Sequence, residues 1–345
     1  MKSIQFTGPR EARLVDIEPD SSPGPGEALV RTHRMGICGT DISAFLGRFP
    51  FFEFPRIPGH ELGVEVVGVA DDVTGVKAGD RCSVEPYFNN PESTTSQRGL
   101  TNCCPQLQVL GVHCDGGLRN ASYLVPACKL HVGNSLSYEE LALVEPLAIG
   151  YHAVERGAPA AGETVLVIGA GPIGLACLEF LKLHNIRIVV MDLSQSRLDF
   201  CRDQLGIEHT ILARPDGGQL TELVSISGGE LADLVIDATG SARSMSTCFE
   251  FAGFGGRVVY VGVASEDLQF PHAPTFHRRE LSLLASRNAR SPDFEGIIQI
   301  LTAGKIDLAP WMTHRLGIGE VPDQFATVTH PDAGAIKAII DTTTL

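Results

Sequence analysis

"VLVIGAGPIGLA", residues 165–176, decides the fold of this chain. The stretch combines an apolar run typical of a buried strand, a glycine-rich turn and the start of an apolar helix. A second apolar run, "IRIVVMD" (186–192), follows the helix and ends on an aspartate. Strand, glycine turn, helix and second strand in this order predict one repeat of a parallel, doubly wound sheet.

Three glycines, Gly169, Gly171 and Gly174, have the G-x-G-x-x-G spacing of a turn that binds a dinucleotide. We expect the first to permit a tight turn, the second to let the backbone approach a pyrophosphate, and the third to let helix and strand pack closely. Asp192 can accept hydrogen bonds from both ribose hydroxyls and repels a 2′-phosphate, which favours NAD over NADP. Arg197 can stack on the adenine or weaken this discrimination. The alternative is a glycine-rich turn without a ligand.

The pattern of apolar residues differs between the other parts of the chain. Short alternating or branched runs such as "EALVRTHRMGIC" (27–38) and "HELGVEVVGVADDV" (60–73) predict a β-rich region up to about residue 150. "DLVIDATG" (233–240) and "GRVVYVGV" (256–263) predict further buried strands of the parallel sheet. After "LSLLAS" (281–286) one helix is expected, and the remaining tail is too short for a deep core. We therefore expect the tail to return to the first domain.

Bulk properties exclude several functions. The formal net charge of −14 argues against binding to nucleic acid or to an anionic membrane. No apolar run approaches the about 20 residues that span a bilayer, and the N-terminus does not resemble a signal peptide. The odd count of 9 cysteines argues against a disulfide framework, so we expect a cytoplasmic protein.

Metal-ligating residue types occur in three short stretches. Cys38 lies in "GICGTD", His60 and Glu61 lie in "PGHELGVEVVG", and Glu145 lies in "VEPLAIG". A thiolate, an imidazole and carboxylates form a plausible zinc set with three protein ligands and an open position. Taken singly, Cys38 can equally be a buried apolar residue or a redox thiol, and His60 can be a hydrogen-bonded histidine. Spacing alone leaves these alternatives open.

The order of "GICGTD", "PGHE", "GDRCSVEP", "VEPLAIG" and "GAGPIG" resembles the zinc-containing medium-chain dehydrogenase/reductase family over nearly the whole chain. The stretches "NCCPQLQVLGVHCDGG", "TFHRRE" and "SRNARSPDF" resemble its polyol and sugar-acid branch, particularly L-galactonate 5-dehydrogenase-type enzymes. The resemblance implies an α/β protein with a GroES-like β-rich catalytic domain (1–150) and a Rossmann NAD-binding domain (151–287). The last segment (288–345) would return to the catalytic domain.

The resemblance also implies residue roles. Cys38 and His60 would bind zinc, while Glu61 and Glu145 would be exchangeable carboxylates that bind zinc directly or hold its water. Thr40 would relay the alcohol proton, Asp41 would support the zinc ligands, and Arg287 would orient Glu145. We expect the cofactor to contact Gly169, Gly171, Pro172, Ile173, Gly174, Asp192, Arg197, Thr239, Val261, Arg287 and Asn288.

The chain departs from the family pattern at a second site. Relatives often bind a structural zinc through four cysteines, but here Asn90, Ser93 and Ser96 stand at three of those positions and only Cys104 remains. An amide and two hydroxyls do not replace thiolates in a tetrahedral zinc site. We therefore expect one zinc per subunit, at the catalytic site. Ser43 likewise stands where many relatives have the outer histidine of the proton relay.

These inferences predict a zinc-dependent oxidation of a secondary alcohol on a sugar acid, of the L-galactonate or L-gulonate type, to a ketone with NAD. The alternatives are a sorbitol-like polyol dehydrogenase, an L-threonine dehydrogenase, a zinc-free reductase and a non-catalytic NAD-binding regulatory protein. The apolar strands "VVYVGV" and "LSLLAS" also predict a homodimer or homotetramer.

Overall fold

Branched and aromatic residues between glycines and prolines form short strands in the first part of the chain, as predicted. The one long helix of this part carries the "VEPLAIG" segment near its middle. The elements are β1 (Lys2–Gly8), β2 (Glu11–Asp16), β3 (Glu27–Gly36), α1 (Gly39–Phe45), β4 (Glu61–Val69), β5 (Arg81–Val84), β6 (Tyr87–Phe88), α2 (Thr94–Gln97), β7 (Gln108–Val109), β8 (Tyr123–Pro126), β9 (Leu130–Val132) and α3 (Tyr138–Gly157).

Strands and helices alternate in the middle of the chain. They are β10 (Thr164–Ile168), α4 (Pro172–Leu181), β11 (Arg187–Asp192), α5 (Gln195–Asp203), β12 (His209–Leu212), α6 (Gln219–Ile226), β13 (Ala232–Asp237), α7 (Ala242–Thr247), β14 (Ala252–Tyr260) and β15 (Ser282–Ala285). The strands form a sheet in the order β12-β11-β10-β13-β14-β15, and every pairing in it is parallel. The doubly wound fold predicted from the glycine turn is confirmed.

The last segment contributes α8 (Ser291–Thr302), β16 (Met312–Gly317), α9 (Val321–Val328) and β17 (Lys337–Asp341). Its strands extend the sheet of the first part, in the order β16-β17-β3-β4-β5-β9, with β8 paired to β3. β17 runs antiparallel to β3, with Ile340 opposite Met35. This pairing brings the start of β17 to the end of β3, where "GICGTD" begins.

The computed structural model describes residues 1–215 and 217–344. These residues divide into two units: 1–146 with 289–344, and the described residues of 147–288. The first unit contains an aromatic cluster of Phe6, Phe45 and Phe325. The ring centroids of these three residues lie 4.9–5.5 Å from one another. In the second unit the apolar strand β10 is buried over its whole length. Within the described residues no helix is long and apolar enough to cross a membrane.

Candidate metal centre and nucleotide pocket

The pairing of β3 with β4 assembles the metal-ligating residues. Gly36, the last residue of β3, lies opposite Glu61, the first residue of β4. Because the strands are antiparallel, the chain leaves β3 and enters β4 at the same end of the sheet. Cys38 and His60 therefore become neighbours, and the ligand atoms of Cys38, His60 and Glu61 all lie within 4.8 Å of one another. We call these three residues the metal-ligand cluster.

Two glycines make room for this cluster. A Cβ atom on Gly36 would lie 2.1 Å from Oε2 of Glu61, so the carboxylate occupies space that a side chain would take. Gly59, just before His60, has a φ of +105°, a conformation that side chains disfavour. A Cβ atom there would also meet the sulfur of Met35 at 2.7 Å.

The N-terminus of α1 positions Cys38. The carboxylate of Asp41 accepts a hydrogen bond from the Cys38 backbone N–H at 2.9 Å, and the Thr40 N–H donates to the Cys38 sulfur at 3.4 Å. Asp41 is buried, and its other oxygen lies 3.7 Å from Nδ1 of His60. One carboxylate thus contacts the backbone of Cys38 and faces the ring of His60.

Charges in the cluster favour a cation. Burial opposes a charge on His60, but Asp41, Cys38 and Glu145 together raise the pKa of its imidazole well above the ordinary value. Burial raises the pKa of the Asp41 carboxyl. Several anionic groups therefore share one buried region, and a bound metal cation would relieve their mutual repulsion.

Glu145 lies beside the metal-ligand cluster and is not one of its members. Its Oε1 accepts a hydrogen bond from the hydroxyl of Tyr87. Burial raises the pKa of the Glu145 carboxyl to about 7, although His60 acts in the opposite direction. Burial and Glu145 also raise the pKa of Tyr87 well above its ordinary value. The structure thus gives Glu145 a partner, Tyr87, that the sequence did not indicate.

Lys337 is a second contact that sequence reasoning missed. Its side chain is 2% exposed, and its Nζ donates to Oε1 of Glu61 at 2.5 Å and to the carbonyl of Ile37 at 3.0 Å. Lys337 begins β17 and lies 276 residues from Glu61 in the chain. No local sequence pattern connects positions so far apart, and only the β17–β3 pairing brings them together.

The residues fit a zinc ion. Nδ1 of His60 and Oε2 of Glu61 are buried, and neither has a hydrogen-bond partner among the described residues. Buried polar atoms without partners are costly unless something else binds them. Together with the Cys38 sulfur they offer sulfur, nitrogen and oxygen ligands, which is the set that zinc prefers.

The lobe that keeps only Cys104 of the four structural-zinc positions holds a hydrogen-bond network. The Asn90 N–H donates to the Cys104 sulfur at 3.3 Å, and the hydroxyls of Ser93 and Ser96 lie 2.8 Å apart. The Ser93 hydroxyl is the largest of the influences that lower the pKa of the Cys104 thiol below its ordinary value. The metal-free state of this lobe stays a prediction.

A cavity of about 630 Å³ lies at the carboxyl ends of the strands in the second unit. Five predicted cofactor residues line it: Gly169, Gly171, Asp192, Arg197 and Thr239. We call this cavity the nucleotide pocket. The other predicted contacts do not line it; they are Pro172, Ile173, Gly174, Val261, Arg287 and Asn288.

The glycine turn has the geometry that its spacing predicts. Gly169 has a φ of +97°, and a Cβ atom on Gly174 would lie 1.8 Å from the Gly169 carbonyl oxygen. Gly171 is the N-cap of α4, and a Cβ atom there would meet only Nη1 of Arg197, at 3.7 Å. The turn is thus tight at Gly169, closely packed at Gly174 and open towards the pocket at Gly171.

Two aspartates shape the walls of the pocket. Asp192 accepts hydrogen bonds from the N–H groups of Ala170 and Ser194, at 2.6 and 2.8 Å. Asp237, which is fully buried at the end of β13, accepts from the Thr239 N–H and hydroxyl and from the Ser244 hydroxyl. Asp237 therefore fixes the loop that carries Thr239, a role that sequence reasoning missed.

A doubly wound unit with a glycine-turn pocket and a β-rich unit with a buried Cys–His–Glu cluster define a class of protein: the metal-dependent dehydrogenases that bind a dinucleotide. Two family models match the chain. The model described as alcohol dehydrogenase GroES-like domain matches residues 24–132, and the model described as zinc-binding dehydrogenase matches residues 172–303.

Characterised relatives cover nearly the whole chain. L-galactonate-5-dehydrogenase of Escherichia coli K12 is 37% identical over 92% of this chain and 92% of its own length. D-altritol 5-dehydrogenase of Agrobacterium fabrum C58 is 36% identical over 93% of this chain and 94% of its own. The chain belongs to the zinc-type medium-chain alcohol dehydrogenase family, as the motifs predicted.

Solved structures show the same architecture. An alcohol dehydrogenase from Escherichia coli CFT073, in complex with NADH, is 28% identical with a TM-score of 0.90 over 99% of both chains. A zinc-binding dehydrogenase from Sinorhizobium meliloti 1021, bound to NADP, is 26% identical with a TM-score of 0.87 over 99% of this chain and 98% of its own. The predictions of an alcohol-oxidising oxidoreductase with zinc and a nicotinamide cofactor are confirmed.

Proposed function

We propose that this enzyme oxidises a secondary hydroxyl group of a sugar acid of the L-galactonate or L-gulonate type to a ketone, with NAD as the preferred hydride acceptor. The proposed reaction is supported by the buried metal-ligand cluster. The substrate class is supported by the likeness to L-galactonate-5-dehydrogenase and D-altritol 5-dehydrogenase, whose names both specify position 5 of a polyhydroxy compound.

Cys38, His60 and Glu61 would hold the zinc ion, with Glu145 as a nearby carboxylate available for exchange. When bound, zinc supplies a Lewis acid that lowers the pKa of an alcohol, and the nicotinamide ring supplies the hydride acceptor. Lys337 holds one oxygen of Glu61 and leaves Oε2 available to the metal.

Thr40 would move the proton. Its backbone N–H donates to the Cys38 sulfur, and the residue as a whole is half-buried. Its hydroxyl would accept the proton of the substrate hydroxyl and pass it outward. The predicted action of Arg287 on Glu145 stays a prediction.

NAD preference is supported by Asp192, which ends β11 on the wall of the nucleotide pocket. Its carboxylate can accept the hydroxyls of the adenosine ribose and repels a phosphate at the 2′ position. Comparison of kcat/KM for NAD and NADP tests this preference. A higher value for NADP would contradict it.

A sugar acid needs a cationic partner for its carboxylate, and arginine is the side chain best shaped for that pairing. Five arginines are candidates for this partner: Arg48, Arg56, Arg119, Arg287 and Arg290. Arg119 already lies over the ring of Tyr123, 4.1 Å from its centroid. Arg290 precedes α8, and its buried Nε atom has no hydrogen-bond partner among the described residues.

Phe294 of α8 lies between Arg290 and the surroundings of the metal-ligand cluster. Its backbone N–H donates to the Arg290 carbonyl at 3.4 Å. Its ring centroid lies 6.4 Å from that of Tyr87, and Tyr87 donates a hydrogen bond to Glu145. Arg290 is therefore the first candidate for the carboxylate partner.

Initial rates of NADH formation with aldonates, polyols and L-threonine test the substrate class. We expect aldonates to be the best substrates, and Arg290→Ala to lower kcat/KM for aldonates about a hundredfold, because a carboxylate loses its charged partner. The same change should leave neutral polyols nearly unaffected. Arg98→Ala, at an exposed arginine of the same unit that is not among the candidates, is the matched control.

Better turnover of a neutral polyol or of L-threonine than of every aldonate would contradict the sugar-acid assignment. If a polyol is the best substrate, a polyol dehydrogenase would replace the proposed function, as the likeness to D-altritol 5-dehydrogenase favours. If L-threonine is the best substrate, an L-threonine dehydrogenase would replace it. The zinc-dependent alcohol oxidation would stand, because it rests on the metal-ligand cluster and the family.

A further inference from the structure

A buried charged cluster in the first unit has no part in the reaction proposed above. Glu85, the residue after β5, is fully buried, and its Oε1 accepts a hydrogen bond from the ammonium group of Lys129. Nε2 of His131 lies 3.2 Å from Oε2 of Glu85, and the Ser291 hydroxyl donates to the same oxygen at 2.6 Å. We call these four residues the Glu85 cluster. Burial opposes a charge on Glu85, but the three partners together lower the pKa of its carboxyl below the ordinary value.

The Glu85 cluster joins parts of the unit that are distant in the chain. β5 and β9 are neighbours in the sheet, with Ser83 opposite His131. Ser291 comes from elsewhere: it is the first residue of α8 and lies 206 residues from Glu85 in the chain. Its hydroxyl therefore ties the start of α8 to the sheet. Because the acceptor is an ionised carboxylate, this hydrogen bond is stronger than one between neutral groups.

Phe294 makes a second contact between the start of α8 and β9. Its ring is fully buried and lies nearly parallel to that of His131, with the centroids 5.0 Å apart and 20° between the ring planes. The first turn of α8 thus meets two members of the Glu85 cluster. Loss of the Ser291 hydroxyl would leave the ring contact in place, so it should loosen the start of α8 without detaching it.

Arg290 lies directly before this anchored turn. Its backbone N–H donates to the Asp293 carboxylate at 2.8 Å, and the Asp293 N–H donates to the Arg290 carbonyl at 2.9 Å. These two bonds begin the helix locally and do not involve the Glu85 cluster. The cluster instead determines where the helix start lies against the sheet. Since Nε of Arg290 has no hydrogen-bond partner among the described residues, the placement of this side chain depends on the backbone that carries it.

We propose that Glu85 and Ser291 are positioning residues, whose hydrogen bond holds the start of α8 where Arg290 meets the carboxylate of a sugar-acid substrate. The inference rests on the proposed function, in which Arg290 is the partner of that carboxylate. An arginine binds a carboxylate through donors of fixed direction, so a small shift of α8 weakens the contact. A neutral polyol lacks the carboxylate and does not depend on this contact.

Steady-state kinetics of the full-length, zinc-loaded enzyme test the positioning role, with L-galactonate and with the neutral polyol of the same carbon skeleton, at saturating NAD. We expect Ser291→Ala to raise KM for L-galactonate about fivefold, because the guanidinium is displaced from its partner. The kcat for L-galactonate and both constants for the polyol should stay at their wild-type values. Ser291→Thr, which keeps a hydroxyl at this position, should restore the wild-type KM.

Ser135→Ala is the matched control. The Ser135 hydroxyl lies 3.2 Å from that of Thr302, the last residue of α8, so the change removes a polar contact at the opposite end of the same helix. It should leave KM for both substrates unchanged.

The positioning role is overturned if Ser291→Ala leaves KM for L-galactonate at the wild-type value while Arg290→Ala raises it. An equal rise of KM for L-galactonate and for the polyol in Ser291→Ala would also overturn it, because the hydroxyl would then support the fold in general. An Arg290→Ala variant with unchanged kinetics towards L-galactonate would instead refute Arg290 as the carboxylate partner in the proposed function, and the positioning role with it.

Discussion

The two carboxylate oxygens of Glu61 have different surroundings, and the difference determines what the residue can do. Oε1 accepts a hydrogen bond from Lys337, whereas Oε2 is buried and has no hydrogen-bond partner in the part of the chain that the structure describes. Burial opposes a charge on Lys337, but Glu61 and Cys38 raise the pKa of its ammonium group. The buried ion pair thus fixes the carboxylate and leaves one oxygen for a metal.

In the zinc-free protein, Lys337→Met should lower the free energy of unfolding by about 3–5 kcal/mol, because it leaves the Glu61 charge buried and unpaired. Urea unfolding followed by circular dichroism measures the change. Lys305→Met, at an exposed lysine of the same unit, is the control and should have little effect. Adding Glu61→Gln to Lys337→Met should recover part of the loss. Equal free energies of unfolding for Lys337→Met and Lys305→Met would contradict the stabilising role of the Lys337–Glu61 ion pair.

At the scale of elements, the β3–β4 pairing determines the geometry of the cluster. Gly36→Ala would place a Cβ atom 2.1 Å from Oε2 of Glu61, so the carboxylate must move. We expect a loss of about 1–3 kcal/mol in unfolding free energy and weaker zinc retention during dialysis against a chelator. Gly39→Ala, in the same motif, meets nothing within 4 Å and is the control. Identical zinc retention by both variants would refute the steric argument.

The sequence predicts those elements whose signals are local. The glycine turn, Asp192 at the end of β11 and the apolar strands of the parallel sheet follow from spacing and hydrophobic pattern. The metal-ligand cluster was predicted through the resemblance of its short motifs to the family, because their spacing alone leaves other roles open for Cys38 and His60.

Lys337 and Tyr87 were missed because each reaches its partner through tertiary structure. Their residue types carry no signal of the contact: lysines and tyrosines are common, and nothing near them in the sequence points to Glu61 or Glu145.

At the scale of the whole molecule, β15 stands at an edge of the parallel sheet. Leu283 on this strand is 39% exposed, and an uncovered apolar edge strand favours pairing with another chain. We predict a homodimer or homotetramer that uses this edge. Light scattering at micromolar concentration should show the oligomer for the wild-type protein and a smaller species for Leu283→Lys.

Leu220→Lys is the control for this prediction, because Leu220 lies on α6, is 36% exposed and does not belong to the edge strand. That variant should keep the oligomeric state of the wild-type protein. A stable wild-type monomer, or an oligomer that Leu283→Lys leaves intact, would contradict the role of β15.

The measurement that tests the account most directly is the zinc content of the purified protein by elemental analysis. We predict one zinc per chain in the wild-type protein, because a single buried cluster offers sulfur, nitrogen and oxygen ligands. Cys38→Ser should lose the zinc together with NADH formation, and Cys104→Ser, in the lobe with Asn90, Ser93 and Ser96, should retain both. Two zinc ions per chain, or zinc that survives Cys38→Ser and is lost in Cys104→Ser, would contradict the account.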